Sequence, residues 1–100
     1  MVFSIIIPLF NEERRLAKTA PAIFNFFKNH AQKTELIFVN DGSTDATLQM
    51  LHQYAKDNVF SIVTYEKNKG KGYAIRQAVG KSTGEWVVFF DIDLATPLEE

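Results

Sequence analysis

No cysteine occurs in the chain, so neither a disulfide framework nor thiolate chemistry is open to it, and a reducing compartment suits it. An excess of charge of either sign is also missing. Eleven Lys and Arg face 12 Asp and Glu, for a net charge of −1, and no long basic block breaks the sequence. That balance argues against a nucleic-acid-binding surface. No apolar run approaches the ~18–20 residues of a membrane helix. The opening MVFSIIIPLFNEE has no basic stretch ahead of its apolar residues, unlike a secretory signal. A soluble, cytoplasmic chain is expected. Only two histidines are present, His30 and His52, both on predicted helices without a partner at ligand spacing. They read as surface residues, and with no histidine near a candidate nucleophile a catalytic triad has no support.

What is present suits one small α/β domain: 100 residues, 46% hydrophobic, enough for a modest core. The chain is organised around EWVVFFDIDLATP, Glu85–Pro97. Its apolar run Trp86 to Phe90 predicts a strand buried on both faces, as in a parallel sheet. The strand ends in two carboxylates, Asp91 and Asp93, at the edge where open α/β sheets bind ligands. Anions so close repel unless a cation or a donor group sits between them. A solvated turn is the bland alternative.

Upstream, VFSIIIP (Val2–Pro8) predicts a first strand and TELIFVN (Thr34–Asn40) a second. FSIVTY (Phe60–Tyr65) predicts a third, and Glu85–Phe90 is the fourth. Between them, Leu16, Ala20, Ile23, Phe24 and Phe27 mark an amphipathic helix over Glu12–Asn29, with Asn11 as its expected cap and Pro21 expected to kink or divide it. A second helix is expected over Asp45–Asp57, capped by Ser43 or Thr44, and a short third over Tyr73–Val79. Alternating strands and helices with short links give a parallel sheet with right-handed crossovers. The order 3-2-1-4, a Rossmann-like three-layer sandwich, is the most consistent. Three loops then converge at strand C-terminal ends: Pro8–Glu12, Asp41–Asp45 and Asp91–Pro97.

Several residues there have chemistry to offer. Asp41, directly after a buried strand, is an acceptor suited to the ring N–H of a base, or else the anchor of an Asx turn. Asp45 reads as a helix N-terminal carboxylate. Lys69-Gly70-Lys71-Gly72 offers two cations, glycine amides and a helix start, which suits a diphosphate or equally a solvated loop. It is neither a Walker A motif nor GxGxxG, which leaves an NAD-binding domain without its fingerprint. Asp91 and Asp93 are hard oxygen ligands of the kind magnesium and manganese take.

Taken together, SIIIPLFNEE, FVNDGSTDAT, NKGKGYAIRQAV and FFDIDLATP resemble the nucleotide-binding half of family 2 glycosyltransferases. Within that family they are most similar to the polyprenyl- and dolichyl-phosphate glucosyl- and mannosyltransferases. The resemblance implies the first part of the GT-A fold, with residues 1–100 a single partial domain without the acceptor half. It implies that Pro8, Phe10 and Glu12 line the nucleoside pocket and that Asp41 accepts from the base. Phe10 stands where many members carry tyrosine. Lys71 and neighbours in the NKGKG loop would face the diphosphate or base, Asp91 would lie near ribose or metal, and Asp93 would ligate a Mg2+ or Mn2+ ion, these two aspartates being the catalytic pair.

The implied reaction is an inverting transfer of hexose from a UDP- or GDP-sugar to a polyprenyl or dolichyl phosphate, at the cytoplasmic membrane face in a longer form. The chain alone is expected to bind donor and to transfer sugar poorly or not at all. An open strand edge predicts a homo-oligomer. Two rivals differ in class. FFDID also resembles the signature of haloacid-dehalogenase-type phosphatases, although Ala95 stands where that family prefers Thr or Val. The other is a non-catalytic nucleotide-sugar-binding or assembly module.

Overall fold

Two runs of apolar residues build the middle of the molecule. The computed structural model describes residues 2–30 and 32–92. Strand β1 (Phe3–Leu9) pairs in parallel with β2 (Thr34–Asp41) from Phe3↔Thr34 to Leu9↔Asn40. Because both strands are central, side chains on either face are covered: Ile6, Ile7, Ile37, Phe38 and Val39 are all buried. Strand β3 (Ser61–Tyr65) adds in parallel outside β2, and β4 (Trp86–Phe89) outside β1. The order is β3-β2-β1-β4, as the alternation of elements predicts.

Period two along the strands sends alternate residues into two cores. Ile7, Leu9, Leu36 and Phe38 meet Leu16, Ala20 and Ile23 of α1 (Glu13–Asn29) and Leu51 of α2 (Thr47–Tyr54). Ile6, Ile37 and Val39 meet Ala74 and Ala78 of α3 (Lys71–Val79) on the other face. The result is a three-layer α/β/α sandwich. Phe24 adds an aromatic cluster on the first face, stacked on Phe60 at 5.6 Å and edge-on to Phe38 at 6.2 Å.

Three expectations need correction. First, β4 is not buried on both faces: Trp86 is 64% and Phe89 53% exposed. The apolar run does form a strand, but among the described residues β4 has a neighbour on one side only, and burial needs cover on both. Second, Pro21 does not divide α1, which runs unbroken from Glu13 to Asn29. Proline removes the bond to the carbonyl four residues earlier. Here that is Ala17, and both Ala17 and Pro21 lie on the exposed face, where the lost bond leaves no carbonyl in the core. Third, Asn11 does not cap α1, and its side chain is turned to another loop.

The rim opposite the strand C-terminal ends is pinned by one carboxylate. The Ser4 hydroxyl donates to Glu35 Oε1 at 2.7 Å and accepts from the Gly84 amide at 2.8 Å, while the Thr83 amide donates to the same Glu35 oxygen at 2.9 Å. Partial burial alone would push the Glu35 carboxyl up, but the bonds from Thr83 and Ser4 outweigh it and hold the group below its ordinary range.

Candidate functional site

At the C-terminal ends of β1 and β2, two loops satisfy each other. The first amides of any helix lack intrahelical acceptors. In α1 the first of these, the Glu13 amide, donates to Asp45 Oδ2 of the β2–α2 loop at 3.3 Å. The two amides just ahead of the helix bond across as well, Asn11 to Ser43 Oγ at 3.0 Å and Glu12 to Thr47 Oγ1, at the start of α2, at 3.0 Å. In return, Asn11 Oδ1 accepts from the amides of Thr44 at 2.7 Å and Asp45 at 3.3 Å. Asn11 adopts φ 51°, a left-handed conformation that asparagine tolerates better than most residues. This web fixes Phe10 and Glu12 relative to β2.

Asp45 also starts α2, accepting from the Thr47 amide at 2.9 Å and from the Thr47 hydroxyl. Burial alone would raise its pKa, yet the bonds from Thr47 and from the Glu13 amide bring it below the ordinary value. Like Glu35, it therefore binds protons less readily folded than unfolded. The stability these two carboxylates contribute is complete above the ordinary carboxylate range and is lost as pH falls through their lowered folded values. Urea unfolding midpoints are expected to stay flat from neutrality down to about pH 5 and to drop below about pH 4. The drop is expected to be shallower in Asp45→Asn. An identical acid limb in that variant would show that Asp45 takes no part.

Asp41 is buried, 3% exposed, and its carboxylate is already engaged. Oδ1 accepts from the Lys69 amide at 2.9 Å, and Oδ2 from Asn68 Nδ2 at 2.8 Å and the Gly70 amide at 3.0 Å. One carboxylate thus shapes the loop ahead of α3 from a different strand. With roughly four acceptor positions on a carboxylate, about one remains open. Tyr65 of β3 completes the cluster. Burial first, then the neighbouring Asp41 carboxylate, pushes its phenol well above a tyrosine's ordinary pKa, so it keeps its proton.

Pro8, Phe10, Glu12, Asp41, Lys71 and Asp91, which the motifs single out, line one cleft of about 480 Å³. Asp93 lies outside the described residues. Lys71 Nζ lies 2.6 Å from Asp91 Oδ2, bridging the first turn of α3 and the second residue past β4. The Phe10 ring is 45% exposed, an open apolar surface at the cleft. Arg15 and Asn68 also line the cleft; sequence reasoning missed Arg15 and reached Asn68 only within the NKGKG loop, with no role of its own. Arg15 pairs with Glu12 at 2.9 Å, and their three-residue helical spacing was the available signal. Asn68 offered no local signal, because its partner Asp41 lies far back in the chain.

The sequence profile described as Glycosyl transferase family 2 matches residues 4–99. The chain belongs to that family. It is 36% identical over 104 residues to the dolichyl-phosphate beta-glucosyltransferase ALG5A of Trichomonas vaginalis, covering 97% of this chain and 32% of the relative. It is 30% identical over 100 residues to a prophage bactoprenol glucosyl transferase homolog of Escherichia coli, covering 99% and 33%. The chain thus spans about a third of the length of these curated relatives. Among solved structures, S. aureus TarS in complex with UDP-GlcNAc superposes with a TM-score of 0.79 at 31% identity, over 93% of this chain and 27% of that one. The mannosyltransferase PcManGT from Pyrobaculum calidifontis, in complex with GDP-Man and Mn2+, gives 0.78 at 27% identity, over 91% and 27%. The fold is that of these GT-A glycosyltransferases.

Proposed function

We propose that this chain is the donor-binding part of an inverting glycosyltransferase that moves a hexose from a UDP- or GDP-sugar to a polyprenyl or dolichyl phosphate. The convergence of Phe10, Glu12, Asp41, Lys71 and Asp91 on one cleft at the strand C-terminal ends carries this reading. The relatives' names support the acceptor class, and the nucleotide sugars in the two solved structures support the donor class.

Each side chain has a task that its surroundings permit. The open Phe10 ring offers a face on which a base can stack. Lys71 and the first amides of α3 together present positive charge to a diphosphate. Asp41 builds the loop that places them. Asp91 is a hard, partly exposed oxygen donor. Among the described residues no group of three or more acidic, histidine or cysteine side chains gathers to hold an ion. Magnesium and manganese take one or two protein carboxylates and complete their shell with water and substrate phosphates. Asp91 would hold such an ion together with Asp93, and when bound it would supply Lewis-acid stabilisation of the leaving diphosphate.

In the transfer, the bond from anomeric carbon to diphosphate oxygen breaks with its electron pair leaving on the diphosphate. An acceptor phosphate oxygen forms the new bond from the opposite side. A phosphate monoester with a second pKa of about 6 is already ionised, so no strong general base is required.

Calorimetric titration of UDP and GDP, each with and without Mn2+, tests the donor site. One nucleotide is expected to bind in a metal-dependent manner, with affinity falling at least about tenfold in Asp91→Ala and in Asp93→Ala. Binding of neither nucleotide would remove the proposal. Binding without turnover on a polyprenyl phosphate would favour a non-catalytic donor-binding module.

A further inference from the structure

We propose that the Lys71 ammonium is the resting counter-ion of Asp91, occupying the carboxylate that a divalent cation would take until a nucleoside diphosphate draws the lysine away. This rests on the donor-site reading above, and it makes metal and nucleotide binding mutually dependent.

The placement of Lys71 is what calls for an explanation. It is the first residue of α3, and no acidic side chain stands in that helix's first turn. A cation there opposes the helix dipole, which is positive at the N-terminus and favours anions. Yet Lys71 Nζ reaches 2.6 Å from Asp91 Oδ2, across the cleft mouth, and Asp41 is already engaged by Asn68, Lys69 and Gly70. Lysine and helix terminus together form a positive pole with Asp91 as an anion against it.

Such a pair is built to exchange. The Lys71 side chain is 58% exposed and that of Asp91 32%, and ion pairs this open to water are weak. An ammonium held 2.6 Å from one oxygen of a carboxylate weakens the binding of a divalent cation to that carboxylate, because the two cations repel. A diphosphate carries more negative charge than one carboxylate and faces the same helix terminus. When it takes the lysine, the positive charge that opposes a metal at Asp91 is withdrawn, and by reciprocity the metal favours the diphosphate. Lysine suits this better than arginine would, being a compact charge on a flexible stem.

The test is Mn2+ titration of the intact chain, followed by the electron paramagnetic resonance signal of free Mn2+, with and without UDP or GDP. Without nucleotide, Lys71→Gln and Lys71→Met are expected to bind Mn2+ at least about tenfold more tightly than wild type, and Lys71→Arg to behave as wild type. In wild type the nucleotide is expected to raise Mn2+ affinity, and in Lys71→Gln this gain is expected to shrink. Equal Mn2+ affinity with and without the lysine would overturn the proposal, as would an arginine variant that behaves like the glutamine one. The nucleotide-free comparison isolates the lysine's role. Failure of both nucleotides to bind wild type would instead strike the donor-site reading.

Discussion

Replacing Asp41 with alanine is expected to cost about 3–5 kcal/mol of unfolding free energy, the range for breaking a buried charged network from one side. The magnitude follows from what is left behind. The Asp41 carboxylate accepts from the side chain of Asn68 and the amides of Lys69 and Gly70, so its removal strands the two amides beside a buried position and leaves Asn68 only the Asp41 carbonyl, at 3.1 Å. Asp41→Asn keeps one acceptor oxygen but turns an NH2 group toward donors, so it recovers only part of the loss. The same change reaches the cleft, because the loop that Asp41 holds leads directly into Lys71. Urea unfolding gives the stability, and hydrogen exchange at the Lys69 and Gly70 amides gives the location. A cost below about 1 kcal/mol with those amides still protected would show that the loop holds itself.

The same residue marks the limit of what can be read from the chain. The two central strands were legible because Ile5–Ile7 and Leu36–Val39 are apolar without alternation, which two-sided burial requires. The order β3-β2-β1-β4 followed from the alternation of elements, and with it the meeting of Pro8, Phe10, Glu12, Asp41, Lys71 and Asp91 at one sheet edge. What stayed hidden was the pairing of polar groups across loops. Local capping rules look for an acceptor just before the helix, and so they nominated Asn11 for α1. The amides of Asn11, Glu12 and Glu13 at its start are in fact served by Ser43, Thr47 and Asp45, more than thirty residues on. Asp41 was likewise read for its exposure to a ligand or its own turn, when it mainly organises residues 68–70. The exposure of Trp86 and Phe89 could not be read either, since an apolar run records that a strand forms and not how many neighbours it has.

Gly42→Ala is expected to destabilise the chain by about 3 kcal/mol, with a left-handed backbone and a backbone clash both contributing. Gly42 sits at φ 69°, where a side chain is disfavoured. A Cβ there would meet the Asn68 nitrogen at 2.3 Å and the Lys67 carbonyl carbon at 2.5 Å, both main-chain atoms that cannot rotate away. The close approach explains the glycine: the β2–α2 loop and the loop before α3 touch main chain to main chain, which lets the Asp41 carboxylate reach the amides of Lys69 and Gly70. Gly70 supplies the control. Its φ of 94° with ψ 161° lies where essentially only glycine goes, but a Cβ there meets nothing within 4 Å, so Gly70→Ala is expected to lose only the backbone contribution, about 1–3 kcal/mol. Gly42→Asn separates the two causes at one position, since asparagine tolerates the left-handed conformation and still carries the Cβ. If Asn recovered full stability at position 42, strain would be the whole effect and the loop contact none of it. If both Gly42 variants lose more than Gly70→Ala, and their nucleotide affinity falls with their stability, then the backbone contact at Gly42 is what holds Lys71 in place at the cleft.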